Sequence, residues 1–373
     1  MEKKSSENCV KNKKGTADGI VLFAKKPGPT SFSSLNDIKH ALGTKKVGHT
    51  GTLDSFAQGL LVVCTGRLTR LAGNITEFDK EYDAVIKFGE ETDTLEYTGN
   101  IIKTAPLPDE KTLRQVLLEF TGSIMQKPPA FSAIHIDGKR ASDLARSGKA
   151  AEIPERKITV YKAEILELKK DKNNAVEYAR ISFTVSKGTY IRSLARDIAQ
   201  KCGSAGHLTG LYRKKVGNFY IKDAAGFNDL EEFNIENCIK KAEEWKNEEV
   251  CKDKNNPDFK ADCEKNLELK AAREKNIELK AAREKLHAEI LEKKLDFSKE
   301  CAKLCGFDVI NLVSKNAEAA FKNGKPLYSA LFDKKLQEIQ NKKSAAVFTQ
   351  DGNFCGLIKK DEQGKISYSF VLN

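Results

Sequence analysis

Apolar and polar positions along this chain repeat with two different periods, and the change from one to the other divides it into elements. Residues 19–23, GIVLF, and 60–64, LLVVC, are short continuous apolar runs that predict buried strands. Alternation at Tyr82, Ala84, Ile86 and Phe88 predicts a half-buried strand. The same pattern over 161–168 and 176–185, on either side of the turn KKDKNNA, predicts a hairpin. Helical spacing sets in at Phe32, Leu35, Ile38 and Leu42, with Ser31 as the expected cap and Gly43 as the stop. Residues 109–120, DEKTLRQVLLEF, predict a second helix closed by Gly122. Ile191, Leu194 and Ile198 predict a third, which Thr189 is placed to cap and which ends before Gly203. A helix over 314–323 and strands around Ala346, Cys355 and Tyr368 predict a small β-rich terminal module.

Two stretches interrupt this order. Residues 126–149, QKPPAFSAIHIDGKRASDLARSGK, hold too many Pro and Gly for one regular element and read as a long basic excursion from the core. Residues 243–294 are dense in Lys and Glu, and EKNLELKAAR at 264–273 is followed at once by EKNIELKAAR at 274–283. Strong helix formers without a sustained heptad seam favour a solvated, projecting helix or tolerated insertion over a coiled coil. On this reading 243–294 is dispensable.

Composition narrows the function. With 373 residues, 40% of them hydrophobic, the chain has room for two domains, and no apolar run approaches the roughly 20 residues of a membrane span. The polar, basic start, residues 1–17, reads as a disordered tail on a cytoplasmic protein. A net charge of +11, from 64 Lys and Arg against 53 Asp and Glu, makes nucleic acid the leading partner class; plain solubility is the alternative. Nine cysteines without a secretory signal argue for reduced thiols, and the C-x3-C pair Cys301 and Cys305 lacks the second pair a zinc site needs.

The candidate chemistry centres on GHTGTLDSFAQGLLVVCTG at 48–66, where Asp54 sits between a loop with Gly48 and Gly51 and the apolar run that anchors it. Asp54 is either a reactive carboxylate or the N-cap of a short helical turn over 55–58. Lys25 and Lys26, then Lys45 and Lys46, precede this loop; they suit a phosphate backbone or two solvated turns. Tyr82, on the apolar side of its strand, reads as core before it reads as a ligand. Arg192 falls in the first turn of its helix, where the dipole disfavours a cation, so it asks for an anion: a phosphate, a surface acid, or Asp54.

In order and spacing, GHTGTLD, KEYDAVIKFGEETDT from Lys80, QKPPAFSAIHIDGKRA, SKGTYIRSLARDI and AGHLTGLYR make the chain resemble the bacterial, stand-alone TruB-type tRNA pseudouridine synthases. IKDAAGF with DLEEF is similar to the family's link into its C-terminal part, and AAFKNGKPL with the final hairpins is similar to a PUA-like RNA-binding domain. The resemblance implies an α+β fold, a mixed and largely antiparallel sheet with flanking helices. It implies a catalytic domain over 18–235, a charged helical insertion over 236–305 and the PUA-like domain over 306–373. The implied activity is isomerisation of uridine to pseudouridine at position 55 in the T arm of tRNA, by a monomer needing neither cofactor, metal nor obligatory protein partner. Asp54 would be the catalytic carboxylate, with attack on base and on sugar both open. Tyr82 would stack on the target base, His49 would help displace it, and Tyr190, Arg192 and Leu211 would complete the pocket. Residues 125–150 would form a thumb closing over the T loop. There His135 stands where the family usually has a basic residue, and Phe131 and Ser142 where tyrosines are common. Either Lys25 or Lys26 could fill the family's lysine position. The alternatives are an RNA-guided relative that modifies ribosomal RNA and an RNA-binding chaperone without turnover.

Overall fold

A computed structural model describes residues 17–132, 134–136, 138–147, 153–252, 265–334, 336–340 and 343–372. The expected tail falls almost wholly outside them. In chain order the first elements are β1 (Gly19–Lys25), α1 (Leu35–Leu42), β2 (Val47–His49), β3 (Gln58–Thr65), α2 (Ala72–Thr76), β4 (Lys80–Phe88), β5 (Glu90–Thr92), β6 (Ile101–Thr104), α3 (Glu110–Glu119), β7 (Gly122–Gln126), β8 (His135–Ile136), β9 (Lys139–Arg140) and α4 (Ala141–Arg146). They are followed by β10 (Arg156–Lys170), β11 (Val176–Val185), α5 (Ile191–Lys201), β12 (Gly206–Val216), β13 (Phe219–Tyr220), α6 (Ile235–Lys252), α7 (Lys265–Lys293), α8 (Lys299–Leu304), β14 (Asp308–Asn311), α9 (Lys315–Lys322), β15 (Ser344–Phe348), β16 (Phe354–Lys360) and β17 (Ile366–Val371).

The main sheet runs β1-β3-β12-β4-β11-β10-β7, with β2 beside β3 and β13 beside β12. Only β3 and β12 pair in parallel, so the sheet is mixed and largely antiparallel. The parallel pairing brings backbones close at Gly59, whose φ is +121° and where a Cβ would collide with the Arg213 main chain. Gly48 and Gly51, by contrast, do not have positive φ.

Alternation decides what each face meets. On β4, Tyr82, Ala84, Ile86 and Phe88 face Leu194 and Ile198 of α5 and Leu113 of α3, while Val85 turns to Phe233, Ile235 and Cys238 on the other side. The continuous runs in β1 and β3 have both faces covered, as their lack of alternation demands. Ile20, Leu22, Leu60 and Val62 meet Phe297, Cys301 and Phe348, and Val21, Phe23, Leu61 and Val63 meet Leu35, Ile38 and Ile290.

Three expectations change. The first helix begins at Leu35, not Phe32: Ser33 and Ser34 bond back to Thr30 in a tight turn, and the Ser31 hydroxyl is engaged elsewhere. Tyr190, not Thr189, is the N-cap of α5, because the Thr189 hydroxyl bonds to the Ser186 carbonyl. The far end of α7 is docked rather than solvated. Ile290 is fully buried, Arg283 and His287 reach Asp37 of α1, Glu289 accepts from the Gly226 amide, and Leu295 pairs with Ile20 through the backbone.

The terminal module is a four-stranded sheet, β14-β15-β16-β17, with β14 and β15 parallel, covered by α9. Ser314 caps α9 by accepting from the Ala317 amide.

Candidate active site

The loop carrying Asp54 has no regular structure, so its shape depends on side-chain donors from distant segments. Three buried groups supply them. Lys25, at the end of β1, is fully buried and its Nζ donates to the carbonyls of Lys26, Ser55 and Ala57. Arg213 of β12, also buried, donates from Nε to the Leu60 carbonyl and from its two terminal nitrogens to those of Thr52 and Gly51. The Ser31 hydroxyl makes a two-way clasp with Leu53, donating to its carbonyl and accepting from its amide at 2.8 Å each. Lys25 rather than Lys26 therefore lies beneath the loop; Lys26 is exposed and pairs with Asp229. Burial pulls the Lys25 ammonium down to about 8, with Asp54 opposing that and Arg213 adding to it.

Asp54 does not cap a helix, since residues 55–57 form a bend leading straight into β3. Its carboxylate meets Arg192 instead. Nη2 donates to Oδ1 at 3.1 Å and Nε lies 3.1 Å from Oδ2. The guanidinium is buried, so the anion that a cation in a first helical turn requires is the candidate catalytic carboxylate itself. Arg192 also donates to the carbonyls of Thr94 and Phe131, at 2.9 Å each. These residues, with Ser55, Glu96, Ser142 and Arg146, line a cleft of about 280 Å³. The 126–147 excursion thus supplies part of the cleft wall, with Phe131 and Ser142 facing in.

Glu96 has no counterpart among the residues singled out from sequence. Leu95 before it has φ +61°, the left-handed region that a branched side chain resists, and this kink turns the Thr94 carbonyl and the Glu96 carboxyl toward Arg192 from one short segment. Glu96 Oε2 lies 4.0 Å from Arg192 Nη1, and its Oε1 accepts from the Thr98 hydroxyl. Burial pushes the Glu96 carboxyl up to about 7; Asp54 pushes the same way and Arg192 opposes. Two carboxyls thus share one guanidinium, the more exposed Asp54 holding it more closely.

The remaining expected site residues lie around this pair without bonding to it. Tyr82 and Leu211 are buried in one apolar cluster with Leu53 and Phe56, which flank Asp54. His49 ends β2, half-buried, and burial and then the charge of Arg213 lower its pKa. Tyr190 is held at both backbone polar atoms by the fully buried Gln126, which donates to its carbonyl and accepts from its amide. Arg156 covers the Tyr190 ring at 4.6 Å. The backbone at His135 is in β8; its side chain lies outside what is described. From the Asp54 loop Phe56 meets Tyr97 edge-on at 5.8 Å, and Tyr97 meets Trp245 of α6 at 6.0 Å. Among the described residues no group of three or more His, Cys, Asp or Glu is arranged for a metal ion, Cys301 and Cys305 included.

A carboxylate held by a guanidinium in an open cleft can act as a nucleophile toward a planar ring inserted from outside. Comparison with known proteins gives the family. Residues 39–191 match the N-terminal domain of the TruB family pseudouridylate synthases. A tRNA pseudouridine synthase B of Treponema denticola is 51% identical over 229 residues, covering 58% of this chain and 64% of that protein, just under two thirds. The protein of the same name from Borreliella burgdorferi is 45% identical over 219 residues, covering 58% of this chain and 76% of its own length. In three dimensions a chain from the crystal structure of a Cbf5-Nop10-Gar1 complex aligns with a TM-score of 0.57 at 22% identity, covering 95% of this chain and 85% of that one. That likeness concerns the fold.

Proposed function

The chain belongs to the TruB family of pseudouridylate synthases, and on that footing we propose that it isomerises uridine to pseudouridine at position 55 in the T arm of tRNA, acting alone. The observation that carries the chemistry is the Asp54–Arg192 pair at the open cleft. Arg192 holds the Asp54 carboxyl at both oxygens and so orients it for attack. A base inside a folded stem-loop must leave its stack to be reached, and the apolar cluster of Tyr82 and Leu211 would replace the stacking it loses. Tyr82 takes the base face, His49 helps displace the nucleotide, and Tyr190 and Leu211 close the pocket. In the reaction the bond from the ribose to N1 breaks, the uracil turns, and a bond forms to C5. The C5 proton then leaves, and N1 ends protonated. Residues 125–150 close as a thumb over the T loop, and the terminal module adds RNA contacts.

Support for tRNA as substrate comes from the names of the sequence relatives. An RNA-guided mode would rest on fold likeness alone. The test is to incubate the purified chain with an unmodified tRNA transcript and map pseudouridine. The parent is expected to convert the T-arm uridine without guide RNA or partner, and Asp54→Asn to keep RNA affinity while losing turnover by about a thousandfold or more. A rate for Asp54→Asn within a few-fold of the parent would overturn the assignment.

A further inference from the structure

Phe32 is the most exposed phenyl or phenol ring among the described residues, at 69%. Its helical spacing predicts an inward ring, but the turn at 30–34 delays α1 and leaves Phe32 outside the core. Two contacts make its position purposeful. Ser31, directly before it, is clasped to Leu53, directly before Asp54, so Phe32 is tied to the cleft by a short hydrogen-bonded link. One turn into α1, the Lys39 ammonium sits 4.8 Å from the centre of its ring. Among the described residues Lys39 has no acidic partner; its hydrogen bond goes to Asn36. The ring is thus held on one face by a cation and open on the other, beside a reactive loop on a chain of net charge +11.

We propose that Phe32 is a stacking platform for a nucleobase of the RNA substrate other than the target uridine, with Lys39 facing the adjacent backbone phosphate. The proposal rests on the tRNA pseudouridine synthase reading above. Aromatic rings bind bases through a π-face that every base has, and a nearby cation suits the phosphate that follows each base. A protein partner fits the site less well, because a lone ring with a lysine over it offers little apolar area.

The test measures affinity and turnover on an unmodified T stem-loop RNA for the parent, Phe32→Ala and Phe32→Trp. Phe32→Ala should raise Kd and KM about tenfold with kcat within twofold, and Phe32→Trp should restore both. Thermal stability should be unchanged, because the ring is outside the core. The slope of log Kd against log salt should be the same for Phe32→Ala as for the parent, since stacking releases no counterions. Equal Kd for parent and Phe32→Ala, or equal weakening by Ala and Trp, would overturn the proposal. If the parent forms no pseudouridine, the underlying reading fails instead. A parent that turns over with no effect at Phe32 sinks only the platform.

Discussion

The cleft around Asp54 and the terminal module are held together by different forces. In the module, aromatic rings pack on one another: Phe321 meets Phe332 and Tyr368, and Phe354 meets Phe348 and Phe370. In the cleft, a loop without secondary structure is fixed by Lys25, Arg192 and Arg213, each donating to main-chain carbonyls of other segments. The loop packs only Leu53, Phe56 and Ala57 into the core, and buried cations anchored in the sheet and in α5 take up the main-chain carbonyls that no sheet or helix satisfies. Apolar packing is non-directional and yields gradually, whereas a clamp of this kind depends on the position of every donor.

That contrast is exposed to direct tests. Among variants that keep Asp54 the largest effect on rate is expected for Arg192→Lys, which keeps the charge but cannot reach Asp54 and the carbonyls of Thr94 and Phe131 together. Single-turnover rates should fall about a hundredfold while tRNA affinity stays within threefold. Next is a pH dependence centred on Glu96. Its carboxyl is raised to about 7 in the fold, so between the ordinary value and 7 the folded chain holds more protons than the unfolded one. Its contribution is therefore fully present below the ordinary carboxyl range and lost as pH rises through 7. Urea melts should show the parent losing about 3 kcal/mol relative to Glu96→Gln across that window. The smallest effect belongs to the module. Ser314→Ala removes the cap of α9 and should cost about 1 kcal/mol in thermal unfolding with kcat unchanged. A large loss of kcat there would erase the distinction between the two regions.

Much of this was legible in the chain because the signals were local. Continuous apolar runs marked β1 and β3, alternation marked β4 and the β10–β11 hairpin, and an arginine in an unfavourable helical turn pointed to an anion that proved to be Asp54. What escaped depends on residues far apart in sequence. Glu96 reads as one more acid in a polar turn, and only the approach of Arg192, with the kink at Leu95, makes it a buried carboxyl. Arg213 reads as a surface cation in YRKK until β12 lies beside β3. The last turns of α7 share a solvated composition with the repeat before them, and only the contacts of Arg283 and His287 with Asp37 and the buried Ile290 show that they dock. Ser31 shows the converse: a good local cap was outcompeted by a backbone partner in another segment.

The edge-on contacts from Phe56 through Tyr97 to Trp245 have an optical consequence. Trp245 is the chain's sole tryptophan, so selective indole excitation reads one place, on α6 and two ring contacts from Phe56 of the Asp54 loop. The unlabelled protein carries its own fluorophore there, and any shift of the Asp54 loop passed along those rings when RNA is added would give a signal that can be followed in a stopped-flow mixer.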